Sequence, residues 1–180
     1  VRKMSAERLE ELASVLGTVA QRIRGAIKPA ESLLESRANT VLSSLSDSLE
    51  SLSTALKRLK CIADEKKPEG RTKTLCTTWR IYEHNNGFFV IRVKPETVIS
   101  LRAGKIFFHR GHARIEIGGT DVKLCRWNYC KEFSALDRKA IIENLSQLIY
   151  LLRHVSNAIR KTYEAITLCA RREAPTCARV

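Results

Sequence analysis

No apolar run in this 180-residue chain approaches the roughly 18 residues that a membrane-spanning helix needs, the longest lying near residues 148–152. That argues against a membrane partner. No secretory-signal pattern opens the chain, so the expectation is a soluble protein, intracellular or virion-associated. Glycine is sparse, and "GGTDVK" at 118–123 lacks the spacing of a phosphate-cradling P-loop. No local grouping sets a nucleophile beside a base with a third orienting residue, so catalysis is not expected. Methionine occurs once and glutamine twice, whereas arginine and glutamate abound. This poverty in thermolabile side chains fits a hyperthermophilic archaeal or viral source, where intracellular disulfides are a known exception to cytosolic reduction. Aromatic residues are missing altogether before residue 79.

What is present is positive charge, unevenly spread. The net charge is +13 with a pI near 9.8. Residues 1–65 contribute +1, residues 66–133 contribute +8 and residues 134–180 contribute +4. Nine of the eleven aromatic residues lie in the same middle segment. Basic charge interleaved with rings raises nucleic acid, DNA or RNA, as a partner.

Hydrophobic periodicity divides the chain. Leu9, Leu12, Leu16, Val19, Ile23 and Ala26 step by three and four, as do Leu42, Leu45, Leu49, Leu52, Leu56, Leu59 and Ala63. Pro29 favours a first helical turn and pushes Lys28 out of helical space, so residues 1–65 read as a helical hairpin whose second helix begins near Pro29, with a single helix kinked there as the alternative. Residues 66–73 mix charge with Pro and Gly as a linker. Residues 74–133 form a basic, aromatic-rich β subdomain of four or five strands, with turns expected at Arg110-Gly111 and Gly118-Gly119, and "ETVISLRAG" open to either strand or short helix. Residues 134–172 read as a third long helix, capped near Ser134 and Asp137, and residues 173–180 as a tail. The expected fold is α+β: an antiparallel bundle of three long helices with a small antiparallel sheet inserted between the second and third.

The stretch "WRIYEHNNGFFVIRVK" at 79–94 carries the sharpest functional signal. A three-residue Asn85-Asn86-Gly87 loop sets Ile81 opposite Ile91 and Trp79 opposite Val93, collecting one apolar face. The other face then holds Thr78, Arg80, Tyr82, His84, Phe88, Val90, Arg92 and Lys94. Arg80 falls opposite Arg92, and like charges across a strand pair repel, so a carboxylate from elsewhere in the chain or an external polyanion must offset them.

These residues define the expected site: Arg80, Tyr82, Phe88, Arg92 and Lys94 on the sheet, extended by Lys123 and Arg126, with Arg153, Arg160 and Lys161 as outlying phosphate contacts on the third helix. Nothing among them reads bases, so low sequence specificity is expected. The contrasting expectation is a structural or assembly subunit whose leucine seams bind a helical partner or a second copy. No cofactor is expected. His109, His112, Cys125 and Cys130 offer ligand types that zinc accepts, but their order and the four-residue cysteine gap match no common finger. Cys61 and Cys76 flank the linker, where a disulfide between them would close a short loop.

Overall fold

The computed structural model describes residues 2–3, 7–65, 79–83, 88–93 and 96–180, with the backbone alone at residues 2, 3, 79–81 and 83. Among the described residues are four α-helices and one sheet of eight strands. Helices α1 (Glu7–Gly25) and α2 (Leu33–Glu65) form the expected hairpin around Pro29. The second helix starts later than Pro29 because Ser32 caps it and Glu35 ties back the residue before the cap. Ser32 Oγ accepts from the Glu35 amide at 3.2 Å, and the Glu35 carboxylate accepts from the Glu31 amide at 2.7 Å.

Two of the serines on α2 explain how closely the hairpin packs. Ser46 and Ser53 are buried against α1, where their hydroxyls donate to the carbonyls of Ala20 (2.9 Å) and Ala13 (2.6 Å). Small residues on both helices leave room for that approach, and a Cβ placed on Gly17 would sit 3.8 Å from Ser53 Oγ. On another side of α2, Ser48 bonds Ser156 at 2.9 Å. The middle helix of the layer is thus α2, flanked by α1 and by the last helix, and its leucines from Leu42 to Leu59 are fully buried.

Strands β1 (Arg2–Lys3), β2 (Trp79–Glu83), β3 (Phe89–Val93), β4 (Thr97–Arg102), β5 (Lys105–Arg110), β6 (Ala113–Gly118), β7 (Asp121–Arg126) and β8 (Tyr129–Ser134) pair antiparallel in sequence order. From β4 onward the chain repeats every eight residues: a six-residue strand and a two-residue turn, at 103–104, 111–112, 119–120 and 127–128. The first residue of each turn is Ala103, Gly111, Gly119 and Trp127, and all four have positive φ (49°, 59°, 63° and 55°). Glycine fits this hairpin position because it lacks the Cβ that the left-handed region disfavours.

Alternation gives the sheet two faces. Across the inner one run the ladders Phe89–Leu101–Ile106–Ile117–Val122–Phe133 and Ile91–Ile99–Phe108–Ile115–Leu124–Lys131. Most of these side chains are buried in one continuous core with the helical leucines. At roughly 1.5–3 kcal/mol for each large apolar side chain removed from water, this face outweighs any single polar contact in the fold.

Helix α3 (Arg138–Glu143) is capped by Asp137, whose carboxylate accepts from the Ala140 amide at 3.1 Å, while Ser134 Oγ accepts from the Leu136 amide at 3.2 Å. Asn144 separates it from α4 (Leu145–Glu173), its side chain donating back to the Ala140 carbonyl at 2.7 Å. A terminal 3₁₀ turn, Pro175–Arg179, folds back so that Cys177 bonds Cys61 on α2.

Several expectations are corrected here. The architecture is not a bundle of three long helices carrying a small insertion. The helices form a layer, and an eight-stranded sheet shares its core. Periodic leucines announce a buried stripe without saying what covers it. The buried stripe on α4 is wider than one seam stepping by three and four through Leu145, Leu148, Leu152, Val155, Ile159, Thr162, Ile166 and Cys169: it also takes in Leu151, Ala158, Thr167 and Ala170, because a helix packed on both a neighbour helix and a sheet needs two covered sides. "ETVISLRAG" contributes strand β4, and the third long helix is broken at Asn144. The two glycine turns lie one residue later than expected. Cys61 pairs with Cys177, not Cys76. No helix among the described residues is long and apolar enough to cross a membrane.

Candidate nucleic-acid interface

The β2–β3 register is the one the side-chain alternation requires: Trp79 pairs with Val93, Ile81 with Ile91 and Arg80 with Arg92. The Asn85-Asn86-Gly87 loop, His84 and Lys94 lie outside the described residues. Phe89, Ile91 and Val93 are buried, while Arg92 is exposed and Tyr82, Phe88 and Val90 are half-buried. The outer face of the sheet therefore looks away from the helical layer.

In register, the outer positions of β2 to β5 are Arg80, Tyr82, Val90, Arg92, Val98, Ser100, Arg102, Lys105, Phe107 and His109, with Phe88 immediately before β3 in the same phase. No aspartate or glutamate occurs among them. At strand positions, outer-face acids appear only further along, as Glu116 on β6, Asp121 on β7 and Glu132 on β8, while Glu96, immediately before β4, borders the face. Among the described residues, Arg92 has no carboxylate within ion-pair distance. It lines a cleft of about 370 Å³ with Glu96, Thr97, Val98 and His109. The Arg102 guanidinium lies over the Phe88 ring, 5.6 Å from its centroid, so cation and ring share one patch.

The other residues expected from the sequence divide between two locations. Lys123 belongs to the outer face but pairs with Glu132 at 3.8 Å. Arg126 occupies the inner-phase row at the sheet's edge, where its guanidinium donates to the Tyr150 hydroxyl and lies 5.6 Å from that ring's centroid. On α4, Arg153 and Lys161 are exposed, and Arg160 is held by Glu164 (2.9 Å) and Asn157 (2.5 Å). Tyr150 also meets Tyr129 edge-on at 6.1 Å and His154 at 4.9 Å. Burial lowers the His154 pKa below the ordinary imidazole value, and the charges of Arg126 and Arg153 push it the same way.

The four zinc-type residues are not gathered into one site. Because the β5–β6 turn is Gly111-His112, His109 pairs with Arg114 while His112 sits in the turn, stacked on Trp127. Cys125 and Cys130 are bonded to each other across β7 and β8, with Cα atoms 4.2 Å apart, and the Arg114 guanidinium reaches both sulfurs at 3.5 and 3.7 Å. Cys61, Glu65 and Cys177 bring three ligand atoms within 4.8 Å of one another, but the two sulfurs are joined there as well.

Sequence alone did not single out Arg102, Lys105, Phe107 or Arg114 as outer-face residues, nor the Tyr129–Tyr150–His154 ring cluster, nor the His112–Trp127 stack. The alternation along 97–118 carries that signal once the turns are placed one residue later. No protein-family model, curated protein or solved structure matches the chain.

Proposed function

We propose that the chain is a non-catalytic nucleic-acid-binding protein that holds single strands on the outer face of β2 to β5 with little sequence preference. The observation that carries this reading is the composition of that face: arginine and lysine beside Tyr82, Phe88 and Phe107, with no carboxylate at any outer position of the four strands. Guanidinium groups neutralise phosphates, and rings with accessible faces stack bases whatever their identity. A duplex hides its bases, which favours single-stranded DNA or RNA as the ligand. Arg153 and Lys161, exposed on α4, are the outlying phosphate contacts of this reading.

Association through the leucine seams has less to support it, since those leucines are covered within the chain itself. The disulfides fit an oxidising compartment or the disulfide-tolerant interior of a hyperthermophile or its virus.

The test is fluorescence anisotropy with labelled single-stranded and double-stranded oligonucleotides over a salt series. Binding should favour the single strand, and log K should fall linearly with log salt, by about 0.7 for each phosphate neutralised. Undetectable binding of either ligand at about 50 mM salt removes the proposal, because counterion release is strongest there.

A further inference from the structure

From the four equivalent turns of the eight-residue repeat we infer that Trp127 and His112 form a stacking subsite for one unpaired nucleobase, at the end of the outer face and beside Arg114. The inference rests on the nucleic-acid reading above and assigns that reading a specific base contact.

The repeat shows what the turn itself requires. At its first position, where φ is positive, the chain uses Ala103, Gly111, Gly119 and then Trp127. A bulky side chain in the left-handed region is strained, and glycine at the two preceding equivalents shows the strain-free choice. Trp127 also leaves 64% of its surface exposed, so burial does not compensate. A large ring that is both strained and open to solvent is not explained by folding.

Its surroundings fix the ring in place. The Trp127 amide donates to the His112 carbonyl at 2.9 Å, continuing the β6–β7 ladder past Ala113 and Arg126. The two rings stack with centroids 3.5 Å apart and planes 22° from parallel. The Cys125–Cys130 disulfide closes the hairpin directly behind the turn. One face of the indole is thus backed by the imidazole, while the residue as a whole stays 64% exposed. A ring held rigid before binding loses little entropy when a base settles on it.

The position gives the ligand class. Counting by twos along β6 and β7, His112 shares the outer phase with Arg114, and Trp127 shares it with Cys125. The stack therefore continues the outer face, with the exposed residue Arg114 one step away on the same side, its guanidinium set against the two disulfide sulfurs through one nitrogen and keeping further donors to meet a phosphate. A flat ring with an arginine one residue pair distant suits a base and its own phosphate.

The experiment compares an oligothymidylate of about twelve nucleotides with an abasic deoxyribose-phosphate chain of equal length, a span within the range that single-strand folds cover. Wild-type protein should prefer the base-bearing chain. Trp127→Gly should bind oligothymidylate roughly 5- to 150-fold more weakly, as the loss of one stacked base implies, while its affinity for the abasic chain stays unchanged. Its Tm should be equal to or above that of wild type, because glycine relieves the left-handed backbone. Trp127→Asn, a residue that tolerates this region, serves as a second variant with the same expected loss. Wild-type affinity for oligothymidylate in both variants overturns the subsite while leaving the outer-face reading intact. Equal wild-type affinity for the two chains overturns it too, and no wild-type binding of either removes both readings together.

Discussion

Arg80 and Arg92 are direct partners in the β2–β3 ladder, and no acidic residue shares the outer phase of their strands or of the next two. Opposed like charges on a strand pair are unfavourable, so neutral replacements relieve repulsion in the free protein. The double variant R80Q/R92Q should melt no lower than wild type, yet bind single strands more weakly with a shallower salt dependence, by about 0.7 in slope for each phosphate that is no longer neutralised. Calorimetry and a salt series check the two halves separately. A clear drop in Tm with unchanged affinity would mean that the arginines serve the fold instead.

The α1–α2 contact depends on small side chains. Ser53→Leu places a bulky group where Ser53 is buried against α1, and overpacking of this kind costs roughly 1–3 kcal/mol. Ser53→Ala removes only the hydroxyl and its bond to the Ala13 carbonyl, for a loss near 1 kcal/mol. Urea unfolding of both variants should rank them in that order. The opposite ranking would contradict the close helix approach.

The core beneath the sheet is the largest stabilising element. Phe108 is fully buried at the centre of its ladder, between Ile99 and Ile115. Phe108→Ala should cost about 3–5 kcal/mol, read from the shift in urea midpoint at constant m-value. A loss under about 1 kcal/mol would show that helices and sheet do not share a packed core.

His154 ties stability to pH. Its folded pKa lies below the ordinary value because burial, then Arg126 and Arg153, disfavour the imidazolium. An unfolded chain therefore takes up the proton first as pH falls below about 6.5, and stability declines from there toward the folded pKa. Above that window the group contributes no such dependence. Between pH 7.5 and 5.5 wild type should lose more stability than His154→Gln. Parallel losses would sink the assignment.

How much of this was legible in the residues follows from which interactions are local. The hairpin at Pro29 and the Trp79–Val93 register could be read because proline geometry and strict alternation each act within a few residues. The turns at Gly111 and Gly119 lie one position beyond where the glycines alone place them. Glycine marks the turn, but not whether it is the first or second central residue, and that choice decides whether His109 faces His112 or Arg114. The eight-residue repeat stayed hidden because only two of its four turns begin with glycine. Long-range facts left no local trace. Leucine spacing on α4 does not name the sheet as a neighbour, and nothing near Cys61 points to Cys177. Outer-face residues such as Arg102 and Phe107 emerged only when five strands stood side by side.

Photo-crosslinking of a single-stranded oligonucleotide, followed by mass-spectrometric mapping of the attached residues, tests the proposed face most directly. Crosslinks are expected at Tyr82, Phe88 and Phe107 on the sheet and at Trp127 at its edge, all suppressed by R80Q/R92Q or by high salt. Crosslinks confined to the outer surfaces of α1 and α2, or insensitive to the arginine replacements, would contradict the assignment of the sheet's outer face as the binding surface.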